Sequence, residues 1–538
     1  MQPSALRTQA LARLREPRVW DLVVVGGGAT GLGVALDAAC RGLQVLLLEA
    51  ADFAQGTSSR ATKLVHGGVR YLAQGHVGLV REALRERSAL LANAPHLAQP
   101  LAFVVPGYRW WELPFYGAGL KAYEWLSGQR SLGSTQALSA RATLGELPTV
   151  RSAGLLGGLR YWDGQFDDAR LAVALARTAQ RSGATVLNRV AVTALRQAAG
   201  RVTGVEARNT ETDEHFEISA GCVVNATGVW VDQLRSLTWQ GGCRPLVTPS
   251  QGVHLVVDRA FLPGSVALMV PKTADGRVLF AVPWLGKTLL GTTDTPRADI
   301  VAEPRPLAEE VDFILGEAAR YLSRAPQRID VRSAWVGLRP LVRPAEPAAQ
   351  AGGGTRSLSR EHTVEVGAEG LVTVTGGKWT TYRAMAEDVL SACMAGGLLP
   401  SRPGGATERL PVVGAPTHEG SFKRRPLSQP EGEHLYGSEV TLLRSLPGAQ
   451  RWLARDEETG EGTLSEAIVR FAARFEMARS VEDVLARRSR LLFLDALQAA
   501  RLADAVADIL AEELGPAFDA VGSASAFKAL AAQYASVP

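Results

Sequence analysis

The sequence has few cysteines and no cysteine motif. Only four occur in 538 residues, Cys40, Cys222, Cys243 and Cys393, and none of them forms a CxxC pair or a metal-ligand spacing. This pattern excludes a CxxC-type zinc or redox motif. Free thiols in a reducing compartment are the simplest interpretation.

The sequence also lacks long apolar runs and a strong net charge. No stretch of 18 or more residues is apolar enough to cross a bilayer, and the basic first twenty residues lack the apolar core of a signal peptide. The formal charge is only +4, and the basic clusters Lys423–Arg425 and Arg487–Arg490 are too short to indicate nucleic-acid binding. We therefore expect a cytoplasmic protein without a nucleic-acid partner, and its weakly basic face still allows docking on anionic lipid.

What the sequence does contain is a dinucleotide-binding pattern near its N-terminus. An apolar run, Leu22–Val25, is followed by Gly26, Gly28 and Gly31 at GxGxxG spacing, a helical segment, a second apolar run and Glu49. The three glycines permit the tight turn, the approach of a pyrophosphate to the backbone, and close packing of helix on strand. The helix N-terminus favours phosphate, and the acid accepts ribose hydroxyls. A glycine turn in some other α/β protein does not explain Glu49, so we predict a dinucleotide site.

Two later segments repeat the arrangement of a buried strand that meets a glycine turn. They are VVNATGVW at 223–230 and VTVTGGKWTTYR at 372–383, and a helix is predicted over 380–394. Each turn would return the chain to the same cofactor. The positive end of the predicted helix would favour the anionic reduced form of a flavin. One more strand–helix packing unit remains an alternative for the second segment.

Periodicity and turn signals predict further elements in a chain that is too long for one ordinary domain. We expect helices over 79–93 and 168–181, strands within 184–208 and 246–300, and a flexible surface loop over 344–356. Capping-box signatures at Thr463–Glu466 and Ser480–Asp483 predict a helical tail that extends to about Leu514.

The chain resembles the FAD-dependent glycerol-3-phosphate dehydrogenases, which are respiratory flavoenzymes. The resemblance runs from about residue 19 to 395, and the helical tail with LARRSRLLFLDA is similar to that family's C-terminal domain. It rests on seven segments in this order: GGGATGLGVALDAACRGLQVLLLE, TSSRATKLVHGGVRYL, VVNATGVW, QGVHLVV, WVGLRPL, SREHTV and GGKWTTYR. The implied fold is α/β, with a Rossmann-like FAD-binding domain of the amine-oxidase-like/glutathione-reductase type, a β-rich substrate domain and an α-helical C-terminal domain.

The expected domains follow this division. The FAD-binding domain is expected to be discontinuous, at 19–100, 150–245 and 365–397, and the substrate-covering domain at 101–149 and 246–364. A linker at 398–418 and a helical C-terminal domain at 419–538 complete the chain.

The resemblance implies a two-electron oxidation of sn-glycerol 3-phosphate to dihydroxyacetone phosphate. Hydride would pass from C2 to flavin N5, and the electrons would pass to a membrane quinone. A phosphate monoester is best held by arginine forks, and the matching positions are Arg70 with Tyr71, Arg339 and Arg360. Lys378, which follows the second glycine turn, would favour the developing alkoxide with help from Arg339.

Two histidines are candidates for the base that takes the hydroxyl proton, because an imidazole titrates near working pH. We expect His254 to be the base and His66 to lie near the flavin. His254 lies in the apolar segment VHLVV, so a satisfied core histidine is the alternative for it. The alternative for His66 is that it only braces the turn. The other six histidines form no metal-like cluster, so no metal is expected.

The resemblance also implies the FAD contacts. The pyrophosphate and the ribose are assigned to Gly26, Gly28, Gly31 and Glu49. The phosphate and flavin side is expected to be lined by Thr57, Ser58, Ser59, Thr62 and Lys63, with a capped turn as the alternative for this polar run. The adenine and the remainder of the cofactor are assigned to the backbone near Val190, and to Gly228 and Thr380.

The sequence is less specific about the electron acceptor and about contact with a membrane. Aromatic residues at 108–125, with Arg109 and Lys121, favour either insertion at a lipid interface or the core of the substrate-covering domain. A quinone acceptor favours peripheral attachment to the cytoplasmic membrane in either case, and a homodimer is left open.

Some oxygen-using glycerol-phosphate oxidases carry a long insertion where this chain has only the 18 residues Val342–Ser359, which favours the dehydrogenase. The alternatives are such an oxidase, an amino-acid or 2-hydroxy-acid oxidoreductase of the same fold, and a non-catalytic flavin scaffold.

Overall fold

The computed structural model describes residues 5–73, 75–237, 244–343, 361–416 and 424–538, without the side chains of Ala5, Arg70 and Ala73. The expected loop at 344–356 lies outside these residues. The described strands are β1 (Val19–Val25), β2 (Val45–Leu48), β3 (Leu64–Val65), β4 (Ala98–Gly107), β5 (Gln136–Ser139), β6 (Gly157–Phe166), β7 (Thr185–Leu187), β8 (Val190–Ala198), β9 (Arg201–Asn209), β10 (His215–Asn225), β11 (Val247–Asp258), β12 (Ala267–Val270), β13 (Leu279–Trp284), β14 (Lys287–Gly291), β15 (Thr295–Pro296), β16 (Val331–Val342), β17 (His362–Val366), β18 (Leu371–Gly376), β19 (Trp452–Arg455) and β20 (Gly462–Ser465).

The described α-helices are α1 (Ala5–Arg15), α2 (Ala29–Cys40), α3 (Val69–Ala73), α4 (Val77–Asn93), α5 (Glu112–Ser127), α6 (Ala140–Glu146), α7 (Asp168–Arg181), α8 (Val231–Arg235), α9 (Ala308–Tyr321), α10 (Tyr382–Ala395), α11 (Val440–Arg444), α12 (Glu466–Phe475), α13 (Leu491–Leu494), α14 (Ala496–Arg501), α15 (Ala503–Leu514) and α16 (Ala520–Ala535). Short 3₁₀ turns at Thr57–Ser59, Gly228–Trp230 and Trp379–Thr381 matter for the site. In the part of the chain that the structure describes, no helix combines the length and the apolar character that a membrane span needs.

The first sheet has the strand order β17-β18-β10-β1-β2-β7, with β9 and β8 attached beyond β10. Strands β18, β10, β1, β2 and β7 run parallel, and β1 and β2 are short apolar runs that are almost wholly buried, as expected for parallel strands covered on both faces. Helix α2 contacts both α7 and α10. A Cβ at Gly33 would lie 2.9 Å from the ring of Tyr382, so the close approach of α2 to α10 requires glycine. The carboxyl ends of β1, β10 and β18 therefore meet at one edge.

The second sheet has the order β15-β11-β14-β13-β12-β4-β6-β3, with β16 on β11 and β5 on β6. The long antiparallel pair β11–β16 places Ser250 opposite Arg339 and His254 opposite Trp335. Strands β3 and β6 come from segments that were expected in the FAD-binding domain, but they pair with each other in this sheet. The polypeptide thus crosses between the two sheets beside the polar loop 57–63.

The helical tail differs in detail from its sequence prediction. Thr463 lies in β20 and does not cap a helix, because the short hairpin β19–β20 occupies this position. Ser465 caps α12 instead, with its Oγ accepting the N–H of Ile468 at 3.4 Å. Ser480 Oγ does accept the N–H of Asp483, at 3.2 Å, although a π-helical turn follows it. Helix α16 extends the helical region beyond Leu514.

The tail joins the FAD-binding region through buried ion pairs. Arg487 and Arg488 both bond the carboxylate of Asp52, and Arg490 donates to Asp168 at 3.2 Å. All five groups are buried. The cluster Arg487–Arg490, which the sequence suggested as a basic surface, is therefore an internal counter-charge for carboxylates of the first domain.

Candidate active site

Three strand-to-turn junctions meet at the carboxyl edge of the first sheet. Gly26, Gly228 and Gly376 have φ angles of +111°, +64° and +80°, a region that side chains rarely adopt. A Cβ at Gly26 would lie 2.6 Å from the carbonyl oxygen of Ala226, so the first two turns contact each other. The segment VVNATGVW therefore lies beside the first glycine turn, and the contact of the later segments with the cofactor stays a prediction.

The first turn leaves a backbone cradle at the N-terminus of α2. Gly28 is the N-cap residue and supplies no side chain, and the N–H of Ala29 donates to Ser58 Oγ at 2.9 Å. A Cβ at Gly31 would collide with the carbonyl oxygen of Gly26. A helix N-terminus that follows a turn of glycines fits the pyrophosphate of a dinucleotide.

The acid at the end of β2 is fixed by backbone groups. Glu49 accepts N–H bonds from Gly27 at 2.7 Å and from Ala51 at 2.8 Å, and burial raises the pKa of its carboxyl. The N–H of Val190 donates to the carbonyl of Glu49 at 2.9 Å. Glu49 and Val190 are thus neighbours, as the assignment of ribose and adenine to them requires.

The polar loop 57–63 contacts both sheets. Thr57 Oγ1 donates to the carbonyl of Leu338 at 2.6 Å, and Trp379 Nε1 donates to the carbonyl of Ser58 at 2.8 Å. The loop therefore links β16 to the turn after β18.

Two members of this loop correct the sequence-based expectation. Lys63 is 0% exposed, and its Nζ donates to Asp168 at 2.7 Å and to the carbonyl of Ser59 at 2.7 Å. Burial lowers the pKa of this ammonium to about 7. Ser59 is also buried and directs its hydroxyl to the carbonyl of Gly56. Both side chains bond groups of the protein interior rather than an open cofactor face.

His254 lies on β11, opposite Trp335 of β16. Its Nε2 is 3.0 Å from Thr62 Oγ1, and its ring stacks on Trp335 with centroids 4.2 Å apart. Burial, with the positive charge of Arg339 nearby, holds the imidazole pKa well below its usual value. Among the described residues Nδ1 has no hydrogen-bond partner. The ring is consequently neutral, but Nδ1 is buried and the lowered pKa differs from the expected imidazole that titrates near working pH.

Arg339 lies on β16 beside this histidine. Its guanidinium donates to Thr292 Oγ1 at 3.1 Å and to Asp294 Oδ1 at 3.3 Å. A Cβ at Gly252 would collide with the guanidinium, so the absence of a side chain two residues before His254 makes room for it. The cation and the neutral imidazole therefore occupy one face of the β11–β16 pair.

A second group of side chains surrounds the segment His66–Gly68, called the HGG segment below. Lys378 Nζ lies 3.9 Å from the centre of the Tyr71 ring, a cation–π contact. The backbone N–H of His66 donates to Thr380 Oγ1 at 3.3 Å, and the same hydroxyl donates to the His66 carbonyl at 3.4 Å. These contacts bring together four of the predicted residues: His66, Tyr71, Lys378 and Thr380.

Two predicted arginines are not described. Arg360 lies outside the described residues, and so does the side chain of Arg70, whose backbone lies in α3. The sequence did not predict three residues that contact the site: Thr292 and Asp294, which bond Arg339, and Trp379, which bonds Ser58. Trp379 belongs to the GGKWTTYR segment, whereas Thr292 and Asp294 carry no local signal, because they reach Arg339 only through strand pairing. In the described ranges no three His, Cys, Asp or Glu side chains gather as a metal site would need.

Two families match the chain. The family described as FAD dependent oxidoreductase matches residues 21–383, and the C-terminal domain of alpha-glycerophosphate oxidase matches residues 405–518. The chain is 40% identical to the probable mitochondrial glycerol-3-phosphate dehydrogenase of Caenorhabditis elegans, over 95% of this chain and 73% of that relative. The chain belongs to the FAD-dependent glycerol-3-phosphate dehydrogenase family.

Other members of the family support the same assignment. The mitochondrial glycerol-3-phosphate dehydrogenase of Arabidopsis thaliana is 40% identical over 92% of this chain and 82% of its own length. The glycerol-3-phosphate dehydrogenase of Bacillus halodurans, solved in complex with FAD, has a TM-score of 0.77 at 30% identity and covers 99% of this chain and 98% of its own. The predicted family, α/β fold and FAD cofactor are confirmed.

Proposed function

We propose that this protein oxidises sn-glycerol 3-phosphate to dihydroxyacetone phosphate and passes the electrons to a membrane quinone. The observation that carries the proposal is the convergence of Arg339 with a neutral His254 on one face of β11–β16. A phosphorylated alcohol needs a cation for its phosphate and a base for its hydroxyl, and this face offers both. Relatives named for glycerol 3-phosphate support the substrate.

Each residue has a distinct task in this reaction. Bound FAD supplies the acceptor for the hydride that leaves C2. His254 is assigned the hydroxyl proton because its ring is neutral and lies beside Arg339, although burial lowers its affinity for a proton. Arg339 and Lys378 neutralise the phosphate and the developing alkoxide, and Asp294 and Tyr71 hold these cations in position. The role of Arg70 and Arg360 at the phosphate stays a prediction.

Anaerobic addition of sn-glycerol 3-phosphate tests the substrate. We expect the yellow colour of the bound flavin to bleach with this substrate and to persist with lactate or D-amino acids at equal concentration. Bleaching by lactate or an amino acid alone would favour the second candidate function within the same fold. A flavin that none of them reduces would leave a non-catalytic scaffold. Reoxidation by a soluble quinone, compared with oxygen, then separates dehydrogenase from oxidase.

Exposed aromatic side chains on and just before α5 support peripheral attachment to a membrane. Trp110, Phe115 and Trp125 are 83%, 67% and 76% exposed, whereas Leu120 and Tyr123 on the other side of the helix are buried. Aromatic side chains favour the level of lipid headgroups, and the exposed Arg109 and Lys121 suit anionic lipid. The buried residues fit the core alternative for this aromatic cluster, and the exposed ones support the proposed lipid contact. The cytoplasmic location stays a prediction, since the named relatives are mitochondrial.

Vesicle binding tests this face. We expect the triple variant Trp110→Ala, Phe115→Ala, Trp125→Ala to bind anionic phospholipid vesicles more than about tenfold more weakly, because each large aromatic loses apolar burial. Co-sedimentation measures the binding. A matched variant, Ile329→Ala, Leu497→Ala, Val521→Ala, removes three exposed apolar side chains elsewhere and should bind normally. Equal binding by both variants would remove α5 from the lipid contact.

A further inference from the structure

Tyr123 projects from the inner face of α5 onto the HGG segment. Its hydroxyl accepts the backbone N–H of Gly67 at 2.8 Å and donates to Asp163 Oδ2 at 2.8 Å. The residue is 2% exposed. One phenol oxygen thus connects helix α5, strand β6 and the peptide between His66 and Gly67.

The phenol is itself firmly held. Arg87 donates to the other carboxylate oxygen, Oδ1 of Asp163, at 3.0 Å and to the carbonyl of Arg130 at 2.9 Å. Burial, together with the charge of Asp163, raises the pKa of Tyr123 well above its usual value. The hydroxyl therefore keeps its proton for Asp163, and a lone pair is left for the N–H of Gly67.

The local backbone is shaped to receive this oxygen. A Cβ at Gly67 would lie 2.6 Å from the Tyr123 oxygen, so glycine is required for the approach. The next residue, Gly68, has φ +79°, and a Cβ there would lie 2.5 Å from the Tyr71 ring. The peptide that Tyr123 holds is consequently flanked by His66 on one side and by the Tyr71 ring, which carries Lys378, on the other.

We propose that Tyr123 is a positioning residue for this reaction: its hydroxyl fixes the His66–Gly67 peptide, and thereby sets the positions of His66 and of the Tyr71–Lys378 pair relative to the substrate. The inference rests on the proposed function, because it assumes that these groups face the reacting alcohol. Loss of the hydroxyl leaves the Gly67 N–H and the Asp163 carboxylate without their shared partner. The segment then departs from the geometry that hydride transfer needs, while the cation on β16 that holds phosphate is untouched.

The test compares Tyr123→Phe with Tyr161→Phe in the FAD-loaded protein. Tyr161 is an equally buried tyrosine whose hydroxyl contacts Met269 Sδ at 3.0 Å, away from the HGG segment. For Tyr123→Phe we expect the limiting rate of anaerobic flavin reduction to fall about 10- to 100-fold, with the half-saturating concentration of sn-glycerol 3-phosphate within about twofold of the wild type. Tyr161→Phe should retain the wild-type rate.

Hydrogen exchange supplies a readout that does not depend on turnover. We expect the Gly67 amide to exchange about tenfold faster in Tyr123→Phe and at the wild-type rate in Tyr161→Phe, since the Tyr123 hydroxyl accepts the Gly67 N–H. If Tyr123→Phe does not fold, Asp163→Asn, which removes the charged acceptor, should give the same two changes to a smaller extent. Wild-type reduction and exchange in the folded variant, or equal losses in both tyrosine variants, would overturn the proposal. A wild-type flavin that the substrate fails to bleach would instead overturn the proposed function.

Discussion

Replacing Arg339 or Lys378 by alanine is expected to leave FAD bound and to lower turnover of sn-glycerol 3-phosphate by about 10²- to 10³-fold. Each change removes a preorganised positive charge from the place where negative charge develops, and such donors contribute this much in buried sites. Arg339 bonds Thr292 and Asp294, and Lys378 lies against the Tyr71 ring, so we expect the glycine turn that fits the pyrophosphate to keep its shape. Steady-state assays with a dye acceptor, together with the ratio of flavin to protein, measure the two effects separately.

Arg332→Ala is the matched control for Arg339→Ala. Arg332 lies on the same strand, seven residues earlier, and its half-exposed guanidinium pairs with Asp258. We expect this variant to retain normal turnover, because an exposed pair contributes little and lies away from the site. Arg339→Lys should recover part of the activity, since the charge returns without the planar fork. Full turnover in both alanine variants would remove Arg339 and Lys378 from the mechanism.

Gly31→Ala is expected to abolish FAD binding, and activity with it. The added Cβ would collide with the carbonyl oxygen of Gly26, so the turn or the start of α2 must move. The pyrophosphate would then lose the backbone cradle at the helix N-terminus. The ratio of absorbance at 450 nm to that at 280 nm in the purified protein measures the bound flavin.

Gly78→Ala provides the comparison for this change. Gly78 lies in the first turns of α4, and a Cβ there meets no atom within 4 Å. Alanine favours a helix more than glycine does, so this variant should bind FAD normally and be no less stable. A Gly31→Ala protein that retains a full complement of flavin would show that the close contact with Gly26 can relax.

The parts of the fold that local sequence determines were predictable. The glycine turn, the buried strand before it and Glu49 lie as expected, because each depends on residues close in the chain. The helix expected over 168–181 is α7 itself, and the one expected over 79–93 begins two residues earlier. Apolar periodicity and capping are local properties, so a single sequence is enough to locate them.

The partners of buried charges were not predictable in this way. Lys63 follows a polar loop that looks suited to phosphate, yet it turns inward because Asp168, 105 residues later, lies beneath it. The arginines near residue 488 look like a surface patch until their pairing with Asp52 is seen. Nothing in the sequence around Tyr123 indicates the proposed positioning role, because that role depends on Gly67 and Asp163 from other parts of the chain. Such assignments require the tertiary arrangement.

The long separation between these buried partners has a consequence for biosynthesis. Arg490 bonds the carbonyl of Ser59, and Arg487 bonds Asp52, across 431 and 435 residues of chain. At ordinary rates of translation, the flavin-side loop leaves the ribosome roughly 20 to 90 seconds before the arginines that hold it. Asp52 lacks its two arginine partners throughout that interval, whereas Asp168 can already pair with Lys63. The loop 57–63 therefore lacks the bond from Arg490 to the Ser59 carbonyl until residue 490 has been synthesised.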